Sequence, residues 1–234
     1  MWPSFIRMGL GVLLIPAGIA ITRTLGTLLV SSGSAGDGTG LASLLSVAAG
    51  AVTWCAVFCL LPQPLRTYVV AHELTHALWG ALMGATIFKV KVAKTGGQVQ
   101  LSHTNVWVTL APYFFPLYTV VAVLVYYGIS LFYDISPYRY AWLVLVGLTL
   151  GFHLTFTVRT LSMPQPDILA YGRFFSYVLI YVCHALFVSV LLILVSPLSG
   201  RQFLQTLLAD LVWTWGGVLV GAGRLIRFLS TGWA

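Results

Sequence analysis

Long apolar stretches occupy most of the chain, and polar residues seldom interrupt them. A transmembrane helix needs about 20 consecutive apolar residues, and six stretches approach that length. They are Met8–Val30, Leu41–Leu61, Thr67–Ala85, Val106–Tyr127, Tyr140–Leu161 and Phe174–Val195. A further stretch, Phe203–Leu229, contains three charged residues and a Gly216-Gly217 pair, so it fits either a seventh span or an interfacial helix. The pattern predicts an all-α polytopic membrane protein with about six transmembrane helices.

One segment after the third stretch departs from the pattern of long apolar runs. Across residues 87–93 apolar and polar positions alternate, with Val90 and Val92 on one face of an extended chain and two lysines on the other. Thr95-Gly96-Gly97 is typical of a turn, and the alternation resumes after it. This arrangement predicts a small β-hairpin over residues 87–102.

The predicted elements divide the chain into three parts. Residues 1–66 contain two N-terminal transmembrane helices, residues 67–200 contain the membrane core with the hairpin, and residues 201–234 contain the C-terminal helix. Of the 234 residues, 59% are hydrophobic and 7% are charged, and the mean hydropathy is +0.95. Soluble domains carry about 25% charged residues, so the composition predicts an integral, multi-pass membrane protein. The compactness of the chain favours the membrane of a prokaryotic cell.

The charged residues lie mainly at the ends of the predicted spans. The formal net charge is +7, from 12 Lys and Arg against 5 Asp and Glu. Lysine and arginine at the ends of transmembrane helices anchor to lipid headgroups, and the sequence has no basic segment with interleaved aromatic residues. We therefore expect a lipid bilayer as the surrounding partner and no nucleic-acid binding, while nothing in the sequence specifies an oligomeric state.

The third stretch carries three ionisable residues in an apolar context. Its sequence, YVVAHELTHALWGALMGA, contains His72, Glu73 and His76. Residues i and i+4 share one face of a helix, so both imidazoles can bind one zinc ion. In the H-E-x-x-H motif the glutamate is the general base of hydrolysis, and Glu73 is the only glutamate in the chain.

Ionisable residues within a membrane segment usually mark function. We therefore predict a Zn²⁺ site with His72 and His76 as ligands and Glu73 as the catalytic residue. A hydrogen-bonded polar cluster between helices is the structural alternative.

The residues around this motif resemble those of the site-2 protease family of intramembrane zinc metalloproteases. Small residues follow the second histidine in AHELTHALWGALMGA, and the predicted hairpin comes next. LAPYFFPLY, in the following stretch, is similar to the broken, proline-bearing helix of that family. The resemblance covers about Tyr68 to Tyr171. It implies a membrane-embedded zinc site of two histidines and a later aspartate, and cleavage of transmembrane or membrane-anchored protein substrates.

A catalytic zinc site has three protein ligands and one open position, so a third ligand is required. The resemblance implies Asp167, which follows two prolines in SMPQPDILAYG, where the family usually has Leu-Asp-Gly. His153, in the fifth predicted span, is the alternative ligand. The alternative role for Asp167 is that of an N-cap of the sixth helix. Asp37 and Asp134 fall in polar loops.

Two predicted spans, the fourth and the fifth, separate the third span from Asp167. If successive spans cross the membrane in alternating directions, Asp167 lies at the membrane face where the third span ends, whereas His72 lies nearer the start of that span. We therefore expect the segment SMPQPD to enter the bilayer. Non-helical backbone is tolerated there when protein surrounds it or it lines a water-filled cavity.

The predicted hairpin offers a binding edge for an extended substrate, which would regain backbone hydrogen bonds by adding as a strand. Val90 and Val92 are candidate contacts for such a substrate, and Asn105 is a candidate contact to the substrate or to a developing oxyanion. An ordinary structural hairpin is the alternative.

Two other functions are compatible with the motif, a non-hydrolytic membrane metal-binding or transport protein and an inactive protease-like scaffold. Glu73 favours hydrolysis over transport, because a transporter gains little from an acid beside the ligand pair. Retention of both histidines, the glutamate and a candidate third ligand argues against an inactive scaffold.

Overall fold

The computed structural model describes residues 3–34, 38–93 and 96–231, so Asp37 and Thr95 lie outside the described residues. Most of the described chain is helical. The elements in chain order are α1 (Ser4–Gly33), α2 (Thr39–Leu60), α3 (Leu65–Leu82), β1 (Ile87–Val92), β2 (Gly97–Leu101), α4 (Val106–Phe114), α5 (Leu117–Ser130), a 3₁₀ turn (Ser136–Tyr138), α6 (Arg139–Leu161), α7 (Pro166–Tyr171), α8 (Arg173–Val195) and α9 (Gly200–Thr231).

Five helices within the described residues are long and apolar enough to cross a membrane. They are α1, α2, α6 together with its preceding 3₁₀ turn, α8, and α9 over Gly200–Phe228. The prediction of a largely helical chain with several possible spans is confirmed to this extent. The C-terminal stretch forms one continuous helix and has the length and composition of a span, although it carries Asp210.

The predicted span Val106–Tyr127 is broken in the structure. It is divided into α4 and α5, which are bent by 76° relative to each other. At the break Phe115 is extended, with φ −106° and ψ 102°, because Pro116 disfavours helical backbone at the residue before it and provides no N–H to a helix. Counted as one bent unit, the pair is a sixth candidate span.

The predicted span Thr67–Ala85 forms a helix that is not among these candidates. α3 has 18 residues, a length of about 27 Å at 1.5 Å per residue. Arg66 and the three ionisable residues of the motif lower its hydropathy, so the expectation that this stretch is apolar enough to span by itself is wrong. α3 instead packs against α4 and both strands.

The predicted β-hairpin is confirmed. β1 and β2 pair antiparallel, with Val90 opposite Val99 and Val92 opposite Gly97. The register shifts between Ile87 and Lys89, which marks a bulge or irregularity at the start of β1. The sheet consists of these two strands in the described chain, so each strand has one edge without a neighbouring strand.

The hairpin lies along α3. A Cβ added at Gly80 would lie 2.8 Å from a methyl carbon of Leu101, at the end of β2. At the start of β2, a Cβ added at Gly97 would lie 2.7 Å from the carboxyl carbon of Glu73. Gly80 and Glu73 are two helical turns apart, so β2 covers that length of α3.

Glycines bring α2 and α6 together in the most extensive helix–helix contact of the described structure. A Cβ added at Gly50 of α2 would overlap the carbonyl oxygen of Val144, and one added at Gly147 of α6 would overlap that of Val47. Small residues allow such close approach of helix backbones, and the resulting van der Waals contact stabilises helix association in membranes. The contact fixes α6 relative to α2.

Gly147→Val is expected to destabilise the fold, because the added side chain has no space beside the Val47 carbonyl group. Overpacking of this kind costs about 1–3 kcal/mol and is measurable as a lower midpoint of thermal unfolding in detergent. Gly128→Val on α5 is the matched control, since a Cβ there meets no atom within 4 Å. The control is expected to change stability by less than about 0.5 kcal/mol, and equal midpoints for the two variants would contradict the importance of the α2–α6 contact.

Candidate metal centre

α3 places the two histidines of the motif on one face, one helical turn apart. The ring centroids of His72 and His76 are 4.9 Å apart, and the rings are nearly perpendicular, at 83°. Each histidine side chain is 14% exposed, and Glu73 is 6% exposed. The three ionisable residues therefore lie inside the fold, where they line a cavity.

Asp167 joins the two histidines. The residue before α7, Gln165, is extended with φ −118° and ψ 129°, and α7 begins at Pro166. This path brings Oδ2 of Asp167 to 3.7 Å from Nε2 of His72 and to 3.6 Å from Nε2 of His76. Among the described residues, one group of at least three potential metal ligands has converging donor atoms. That group is His72, His76 and Asp167.

The other candidates for the third ligand lie elsewhere. His153 is buried within α6 and does not belong to the converging group. Asp134 lies in the turn before α6, where hydrogen bonds from Ser136 hold the pKa of its carboxyl group below the ordinary value. The N-cap positions of α7 and α8 are occupied by other residues, so Asp167 caps neither helix.

The donor atoms fit a zinc ion. Two imidazole nitrogens and one carboxylate oxygen are a ligand set of catalytic zinc sites, which keep a fourth position open. With zinc bonds of about 2.0–2.1 Å, the ligand atoms of a tetrahedral site are about 3.3 Å apart. The observed distances between Oδ2 and the two Nε2 atoms, 3.6 and 3.7 Å, differ from this spacing by a few tenths of an ångström.

A hydrogen bond at Nδ1 orients each histidine. Nδ1 of His76 lies 2.8 Å from the carbonyl oxygen of Val108, and because a carbonyl oxygen only accepts, Nε2 of the neutral ring carries the lone pair. Nδ1 of His72 lies 3.3 Å from the hydroxyl group of Tyr68, which also accepts a 2.9 Å hydrogen bond from Thr160. Contacts of this kind fix the tautomer and the ring orientation of metal-binding histidines.

The carboxylate of Asp167 is held from α4. The hydroxyl group of Tyr113 donates a 3.0 Å hydrogen bond to Oδ2, and Tyr113 is fully buried. Neither this tyrosine nor Tyr68 was predicted as a site residue from the sequence. Helical spacing could have found Tyr68, four residues before His72, whereas no local pattern connects Tyr113 with the motif.

The candidate ligands and Glu73 line a cavity of about 1100 Å³. α3 contributes one side, the chain from Gly96 to Thr104 contributes a second, the end of α6 with α7 contributes a third, and Val108 and Thr109 of α4 complete the lining. Ligand pockets commonly measure about 300–1,000 Å³. The cavity is therefore large enough for an organic ligand or an extended peptide segment beside the converging ligand atoms.

The residues predicted for substrate contact do not line this cavity. Val90 and Val92 belong to β1, whereas every residue of β2 lines the cavity. Asn105 is the N-cap of α4, and its side chain accepts hydrogen bonds from the N–H groups of Trp107 and Val108 at 3.0 and 3.1 Å. The capping contact gives Asn105 a structural role that its position after the hairpin did not indicate.

Zinc content provides a direct test of the ligand set. Wild-type protein in detergent is expected to bind about one zinc ion per chain, as measured by elemental analysis. Asp167→Ala is expected to lose the ion because it removes one of three converging donors. Glu73→Gln and His153→Ala are expected to retain it, since neither residue supplies a converging atom. Loss in His153→Ala with retention in Asp167→Ala would contradict the assignment.

Gly97→Ala is expected to displace the hairpin from α3, because the new Cβ would overlap the side chain of Glu73. The displacement is measurable as faster hydrogen–deuterium exchange of the backbone amides in residues 97–101. Gly96→Ala is the matched control, since a Cβ at Gly96 meets no atom within 4 Å. Equal exchange in the two variants would show that β2 does not rest on Glu73.

Comparison with known proteins finds no relative of this chain. No protein-family model matches it, and no match was found among curated proteins or among solved structures. The resemblance to the site-2 protease family therefore rests on the motifs between Tyr68 and Tyr171.

Proposed function

We propose that this protein is an integral membrane zinc endopeptidase that hydrolyses peptide bonds of membrane-anchored protein substrates. One observation carries the proposal. The Nε2 atoms of His72 and His76 both lie within 3.7 Å of Oδ2 of Asp167. These three residues line the same cavity as Glu73. A buried acid beside a ligand set with an open position is the arrangement that metal-assisted hydrolysis requires.

The surroundings of the site support a location in a lipid bilayer. Five helices are long and apolar enough to cross a membrane, and the broken pair α4–α5 is a sixth candidate. α3 packs against this assembly through α4, so its polar residues face the interior. The proposed location is the membrane of a prokaryotic cell, and the proposed substrates are proteins that reach the cavity from the same bilayer.

The catalytic roles follow from the position of each side chain. A bound zinc ion would lower the pKa of a coordinated water to about 7 and polarise the scissile carbonyl group. Glu73 accepts a proton from the attacking water and returns it to the nitrogen of the leaving amine, so that water and one peptide bond give one acid and one amine. His72, His76 and Asp167 would hold the ion at the wall of the cavity.

The second strand of the hairpin provides the proposed substrate edge. β2 pairs with β1 on one side, its other edge has no neighbouring strand in the described chain, and its residues line the cavity. An unwound substrate segment that adds to this edge regains the backbone hydrogen bonds that it loses when its helix opens. This assignment moves the proposed contact from Val90 and Val92 to the strand opposite them.

Cleavage of a designed single-span peptide with a Gly-Pro pair at its centre tests the proposal. Peptide and protein are mixed in detergent micelles with zinc, and products are identified by mass spectrometry. Glu73→Gln is expected to slow cleavage by about 10²- to 10⁴-fold while it retains zinc. Asp134→Asn is the matched control, because it removes an acid of the turn before α6, and its rate is expected to equal that of the wild type.

Two results would contradict the proposal. Equal cleavage by Glu73→Gln and wild type would exclude the glutamate as the general base. A zinc-loaded wild type that cleaves none of a panel of such peptides would favour the metal-binding or scaffold alternatives over an endopeptidase.

A further inference from the structure

Tyr113 occupies a position that the proposed hydrolytic roles do not explain. Its side chain has 0% exposure and is the largest fully buried side chain of the described chain. Its hydroxyl group donates to Oδ2 of Asp167 at 3.0 Å, the same oxygen that faces both histidines. Its ring stands edge-on to His72, with centroids 5.4 Å apart and an interplanar angle of 86°. Tyr113 therefore contacts two of the three candidate ligands.

Tyr113 lies in the last turn of α4, directly before the break at Pro116. His153, which is buried in α6, stacks its ring in parallel with that of His184 in α8, with the centroids 5.5 Å apart. His153 therefore packs within the helices and does not join the ligand group.

The hydrogen bond limits what the carboxylate of Asp167 can do. The Asp167 side chain is 29% exposed, so it is less constrained by packing than the histidines. A donor fixed on Oδ2 selects one orientation of the carboxylate, with that oxygen toward the histidines. An aspartate bound through one oxygen leaves the fourth position of a tetrahedral site open.

We propose that Tyr113 is a positioning residue of the metal centre, which holds Asp167 through its hydroxyl group so that one carboxylate oxygen binds the ion. The inference rests on the zinc site of the proposed function and is independent of peptide cleavage. Removal of a hydrogen-bond partner of a metal ligand typically costs 10- to 100-fold in metal affinity. We therefore expect Tyr113→Phe to lower the zinc affinity by about 10- to 100-fold.

Zinc affinity of the detergent-purified chain, measured by competition with a chromophoric chelator, tests this role. Tyr113→Phe keeps the ring against His72 and removes only the hydroxyl group. Tyr118→Phe is the matched control, because its hydroxyl group donates to the backbone carbonyl of Thr67 at 2.9 Å and contacts no ligand. Wild-type affinity is expected for the control, and the metal-free forms are expected to unfold at similar temperatures.

Cobalt(II) binding separates positioning from packing. A changed carboxylate orientation is expected to alter the visible absorption of the bound ion in Tyr113→Phe and not in Tyr118→Phe.

Two results would overturn different parts of this inference. Unchanged zinc affinity in Tyr113→Phe, or an equal loss of affinity in Tyr113→Phe and Tyr118→Phe, would overturn the positioning role while the zinc site stands. A folded wild type that binds no zinc would overturn the metal centre itself, together with the proposed function.

Discussion

The convergence of one carboxylate on two imidazoles inside an apolar fold is the interaction on which the rest of the structure depends. Even partial burial of an ionised carboxylate is costly unless hydrogen bonds or opposite charges compensate it. Oδ2 of Asp167 accepts a hydrogen bond from the hydroxyl group of Tyr113, and a metal ion held between it and the Nε2 atoms of His72 and His76 would compensate its charge. Three elements that are distant in sequence, α3, α4 and α7, must therefore meet at one point.

The long helices were accessible from the sequence because an apolar run of sufficient length has few other stable forms. The predicted stretches at Met8–Val30 and Phe174–Val195 lie within α1 and α8, and the alternation after residue 87 identified the hairpin. The prediction failed where local polarity and tertiary packing compete. α3 is covered by the hairpin and by α4, so it does not need the apolar length that an isolated span requires.

The candidate site was only partly accessible from the sequence. Spacing alone placed His72 and His76 on one helical face, because the helix repeat is fixed. Asp167 required a resemblance to a family, since nothing near it specifies its distance from α3. Tyr113 looks like an ordinary aromatic residue in an apolar run, and its role depends on a contact across 54 residues. The alternation of apolar and polar residues likewise assigned Val90 and Val92 to one face of the hairpin, but it does not indicate which of the two strands lines the cavity.

The glycine contact between α2 and α6 makes one side of the cavity stiff. Arg159 and Thr160, at the end of α6, line the cavity, and the backbone of that helix is in close contact with α2 at Gly147. The hairpin has no comparable support, since β2 has one neighbouring strand in the described chain and rests on Glu73 through a glycine. We therefore expect a molecule that enters the cavity to displace β2 more readily than the helices, because no close backbone contact of the kind that joins α2 and α6 holds the hairpin in the described chain.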